Sequence, residues 1–200
     1  MRGPFLRRDG EGPPLSVSAG PALGLVETSS IARGLVVADA MVKRAPVELV
    51  LARPVSPGKH LVLVVGEVAD VGEAMAAGVE AAAHTLVDRL ELARVADELL
   101  DALRRRVVAP SNAVGIFETF SVASTLLAAD AACKAAQITL AELRLADGLG
   151  GKAYFVLSGD QADVEAALHA AETAIPTGLM LARELIARPH EDLLAKLTER

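Results

Sequence analysis

Glu27 and Glu118 are the first residues whose spacing suggests chemistry. Each ends an apolar run in the motif G-x-x-E-T, and a carboxylate recurring in one context is a candidate for general acid or base work. No nucleophile motif or glycine-rich phosphate loop accompanies them, so their recurrence reads as duplication rather than as a catalytic pair. The four histidines, His60, His84, His169 and His190, lack metal-ligand spacing, and His84 and His169 sit in Ala-rich helical stretches as surface or packing residues. Cys133 falls on the apolar helical stripe Val122-Leu126-Ala129-Cys133-Ala136, where it reads as a small buried hydrophobe. Neither a catalytic residue, a metal site nor a cofactor is expected.

Two other sets carry more information. Lys43 and Lys134 each close the motif A-D-A-x-x-K at the end of a helical stretch. A lysine there either interacts with the helix dipole or lays its methylenes over a neighbouring surface while its ammonium reaches carbonyls beyond. Two turns, Ser56-Pro57-Gly58-Lys59-His60 and Asp147-Gly148-Leu149-Gly150-Gly151-Lys152, combine glycines with cations. Glycine lets backbones approach closely, and exposed N–H groups with lysines attract anions, although a plain hairpin turn with a solvated lysine uses the same residue types.

These sets recur because the chain contains its own duplicate. "ALGLVETSSIARGLVVADAMVKRAPVEL" (22–49) aligns without gaps on "AVGIFETFSVASTLLAADAACKAAQITL" (113–140) at a constant offset of 91, with 13 identities in 28 positions. The register resumes at 93, matching Gly58-Lys59 to Gly151-Lys152, and at 94, matching Arg94 to Arg188. The division follows as a flexible Pro/Gly-rich tail over residues 1–20, which is neither signal peptide nor anchor, then units over 21–108 and 109–200.

Within a unit the hydrophobic period switches between two and 3.6. "ALGLVE" reads as a buried strand, Thr28, Ser29 and Ser30 offer N-caps, and Ile31, Leu35, Ala38, Val42 and Ala45 form the apolar face of a helix. "VELVLAR" and "LVLVVGE" are strands joined by the turn "PVSPGKH", a second helix starts near Ala69, "LVDRLELAR" is a last strand and "VADELLDALRRR" a closing helix. The fold class is α+β: two tandem ferredoxin-like βαββαβ units, each with a terminal helix.

Composition narrows the partners. The chain is 52% hydrophobic but only 2% aromatic, with a net charge of -6, which lacks both the basic footprint for a phosphate backbone and the aromatics on which bases stack. A mean hydropathy of +0.39 raises the membrane question, but charges interrupt every apolar run short of the roughly 20 residues a span needs. With a single cysteine a reducing, cytoplasmic setting is expected.

The motifs "GLVET", "VADAMVKRA", "PGK" and "VVGEVADVGEAMAAGVEAA", echoed by "GIFET", "AADAACKAA", "GGK" and "LSGDQADVEAALHAAE", resemble the bacterial microcompartment shell protein family in its tandem-domain form, over roughly 21–198. The resemblance implies a structural part rather than an enzyme: a homotrimer forming a pseudohexagonal tile, packed edge to edge with other shell proteins, hexamers and pentamers, around encapsulated enzymes. It assigns Lys43, Lys134, Arg188 and, less directly, Arg94 to the tile edge. It assigns Ser56, Pro57, Gly58, Lys59, His60 and Asp147, Gly148, Leu149, Gly150, Gly151, Lys152 to the lining of a central pore for metabolites. Some tandem members carry a cysteine in that turn for an iron–sulfur cluster; here Ser56 stands there. The competing reading is a regulatory module of duplicated ferredoxin-like units that binds a small molecule at their junction.

Overall fold

The computed structural model describes residues 20–198. The tail expected over 1–20 therefore lies outside the described residues, Gly20 apart. The first unit runs β1 (Ala22–Thr28), α1 (Ile31–Arg44), β2 (Glu48–Val55), β3 (Lys59–Gly66), α2 (Val68–Ala82), β4 (Leu86–Leu92) and α3 (Asp97–Leu103). The second repeats it as β5 (Ala113–Thr119), α4 (Val122–Ala135), β6 (Ile138–Leu145), β7 (Ala153–Gly159), α5 (Gln161–Ala174), β8 (Met180–Ile186) and α6 (Glu191–Thr198).

The two sheets have strand orders β2-β3-β1-β4 and β6-β7-β5-β8, with every pairing antiparallel, the arrangement of the ferredoxin-like α+β fold. Even the irregularities are duplicated. The register slips between Leu49 and Leu51 and again between Leu140 and Glu142, and after Glu27 and again after Glu118. Ser30 and Ser121 cap α1 and α4, accepting hydrogen bonds from the backbone N–H groups of Arg33 and Ser124.

The central strands are buried because both of their faces are covered. Gly24 and Gly115 let a helix approach the sheet in each unit: a Cβ would lie 2.7 Å from Met75 Sδ of α2 at Gly24 and 2.9 Å from Val164 Cγ1 of α5 at Gly115. On that face of the first sheet Val26, Val62 and Val64 pack against Val37, Met41, Val71 and Met75 of α1 and α2. A second, larger cluster crosses from one unit to the other. It joins Leu25, Leu63, Leu92 and Leu99 to Leu126, Ala129 and the stacked pair Phe117–Phe155, whose rings lie 5.4 Å apart.

One expectation needs correcting. Of the face expected on α1, Ala38 and Ala45 are buried, together with Gly34, Val37 and Met41, whereas Ile31, Leu35 and Val42 are exposed. The helix is apolar on two sides, so periodicity identified residues that share a face but not the face that the unit itself covers.

Candidate functional site

The joint between the units is formed by one buried cluster that takes residues from both. From the second unit, Val122 and Leu126 of α4 are 1% and 0% exposed; their repeat counterparts Ile31 and Leu35 on α1 are 43% and 56% exposed. From the first unit, Leu99 of α3 is 0% exposed, and its counterpart Leu193 on α6 is 39% exposed. Each half of the buried joint thus has a copy elsewhere in the chain that is exposed among the described residues. Asp130 fastens the joint. It is buried, accepts the backbone N–H of Ala96 at 2.9 Å, and holds Lys134 Nζ at 2.5 Å. In the first unit Lys43 Nζ lies 2.7 Å from Asp39 Oδ2, with both side chains exposed.

The two turns meet at the same joint. Gly151 adopts φ +93° and is buried; a Cβ there would stand 3.5 Å from Pro57 Cδ and 3.8 Å from both Lys59 Nζ and the Ser56 carbonyl oxygen. Arg53 of β2 crosses to the second unit, donating from Nη1 to Asp147 Oδ2 at 3.0 Å and from Nη2 to the Leu145 carbonyl at 3.5 Å. Pro57, Gly58, Asp147, Gly148 and Gly150 are exposed, Ser56 and Leu149 half-buried.

The turn lysines are not free cations. Lys59 Nζ lies 2.6 Å from Glu27 Oε1, with Glu27 only 2% exposed, and Lys152 Nζ lies 3.2 Å from Glu118 Oε1. The recurring glutamates that attracted notice as acid or base candidates hold the recurring lysines instead. His60 also departs from expectation. Its ring is 1% exposed and lies under α1, where a Cβ on Gly34 would come 2.4 Å from it, so it does not belong to an exposed turn lining. Neither ring nitrogen has a hydrogen-bond partner, and burial lowers its pKa below the ordinary value.

The remaining candidates scatter. Arg94, at φ +52°, and Arg188 are both exposed. His84, His169 and His190 are exposed as well. Cys133 is half-buried against the joint cluster, and burial pushes its thiol up to about 12, far from a reactive thiolate. Among the described residues, no three His, Cys, Asp or Glu side chains gather to hold a metal ion, and no helix is long and apolar enough to cross a membrane. Sequence reasoning missed Arg53 and Arg144, which are repeat counterparts at the offset of 91; that recurrence was the available signal.

Comparison with known proteins follows the duplication. The family described as "BMC domain" matches residues 22–95 and again 113–189. The bacterial microcompartment shell protein PduT of Citrobacter freundii is 41% identical over 180 residues, covering 89% of this chain and 98% of that protein. The carboxysome shell protein CcmK2 of Synechococcus elongatus is 34% identical over 84 residues, covering 40% of this chain and 80% of its own. A solved structure of a microcompartments protein from Desulfitobacterium hafniense superposes with a TM-score of 0.84 at 42% identity, covering 88% of this chain and 98% of that one.

Proposed function

The chain belongs to the BMC-domain family of bacterial microcompartment shell proteins, and from that premise we propose that three copies join head to tail into a ring of six units, one tile of a shell. Its role is structural rather than catalytic, and its place is the shell. The units are taken as 21–108 and 109–200.

The observation that carries the reading is the unfinished joint. Ile31, Leu35 and Val42 on α1, and Leu193 on α6, repeat the two halves of a surface that the chain buries internally. Burial of such side chains contributes about 1.5–3 kcal/mol each, so an uncovered copy of a covered surface favours a second chain in the same geometry. A head-to-tail contact of this kind generates a closed ring when its rotation closes. Asp39 supports the same docking: it is exposed where its counterpart Asp130 accepts a backbone N–H from the neighbouring unit.

Around such a ring the paired turns face the centre, and Gly151 against Pro57 supports close approach there. The turns, apart from the His60 ring, are the lining of a central pore. Lys43, Lys134, Arg188 and Arg94 are the edge residues that meet neighbouring tiles and other shell proteins; their exposure supports this. Sedimentation across a concentration series, with electron microscopy of the same samples, tests the proposal. A trimer that grows into flat arrays is expected. A chain that remains a monomer at every concentration, without arrays, overturns it.

A further inference from the structure

The cations at the turns are not equally neutralised. Lys59, Lys152 and Arg53 each have a carboxylate within 3.2 Å, from Glu27, Glu118 and Asp147 respectively. Arg144 is different. Among the described residues it has no ion pair, and it is half-buried; its Nε, like that of Arg53, is buried without an acceptor. Glu142, two positions back on the same strand face, is buried with its Oε1 taken by the Tyr154 hydroxyl at 2.6 Å.

The repeat says what Arg144 faces in an assembled ring. Within the chain, Arg53 reaches Asp147 of the following unit. The offset of 91 puts Arg144 in the place of Arg53 and Ser56 in the place of Asp147. At the junction between copies the guanidinium therefore meets a hydroxyl where the internal junction supplies a carboxylate. A guanidinium is a planar fork suited to bidentate oxyanions, and with no carboxylate opposite it a bound oxyanion would supply the charge that the internal junction gets from Asp147. We propose that Arg144 of one copy and Ser56 of the next form a binding site for a small oxyanion, a carboxylate or a phosphate, alternating around the ring with the closed Arg53–Asp147 pairs. The site rests on the head-to-tail trimer proposed above.

Titration of the full-length trimer with acetate and, separately, with inorganic phosphate, followed by carbon-13 and phosphorus-31 NMR, reads it. Wild type is expected to hold one saturable site per chain, and the tighter of the two anions identifies the source. Ser56→Asp supplies the missing carboxylate and is expected to weaken binding at least about tenfold, as is Arg144→Gln, with the trimer intact by sedimentation. Asp147→Ser opens the internal junction and is expected to raise the stoichiometry to two sites per chain, a gain that a merely structural role would not produce. A wild-type trimer that binds neither anion saturably, or variants with unchanged affinity and stoichiometry, overturn the site alone. A wild-type chain that stays monomeric overturns the trimer and the site together.

Discussion

At the residue scale, the first unit has an accommodation that the second does without. Gly34 in α1 clears the His60 ring, while the corresponding positions of the second unit hold Thr125 and Ala153, with Thr125 hydrogen-bonded to Thr119 at 2.7 Å. The bulk has moved from helix to strand between copies, and an imidazole without partners is the result. Its lowered pKa has a signed consequence. Above the ordinary histidine pKa of about 6.5 both folded and unfolded chains carry it neutral; as pH falls below that value the unfolded chain takes up the proton first, so stability is lost. Melting temperature measured from pH 7.5 to 5 is expected to fall faster for wild type than for His60→Ala. Parallel curves would remove the buried histidine from any account of acid sensitivity.

At the scale of elements, α1 and α4 share a sequence and differ in fate. Leu126→Ala on α4 empties a buried site in the joint and is expected to cost about 2–5 kcal/mol in denaturant unfolding. Leu35→Glu on α1 touches an exposed position and is expected to change the unfolding of an isolated chain by less than about 0.5 kcal/mol while abolishing the trimer in sedimentation. Equal damage from both would mean that α1 is covered by something other than a second copy. This contrast also marks how far sequence could reach. The duplication, the succession of strands and helices along the chain and the capping serine Ser30 were legible, because each shows in the sequence pattern itself. The apolar stripe Ile31-Leu35-Val42 was legible as a face, but periodicity is blind to whether the cover comes from the same chain. The pairing of Lys59 with Glu27, and the crossing of Arg53 to Asp147, depend on how strands and units stack, which no local spacing encodes.

At the scale of the whole molecule, the proposed edge can be tested apart from the joint. Lys43 pairs with the exposed Asp39 one turn back on its own helix, a kind of contact that contributes about 0.3–0.5 kcal/mol, whereas Lys134 pairs with the buried Asp130 of the joint. Replacing Lys43 by Asp is therefore expected to leave the trimer intact by native mass and to remove flat arrays from electron micrographs; lost trimers would assign this lysine to the contact between copies. The internal joint has a last effect, on assembly by mass action. In the proposed ring three of the six joints are already made within single chains, so closure would depend on three molecules meeting and not six. For a tenfold fall in free-chain concentration, the ratio of closed rings to free chains would fall about a hundredfold, whereas for rings of six separate units it would fall about a hundred-thousandfold. Duplication thereby lets a tile persist at dilutions that would dissolve one assembled from single units.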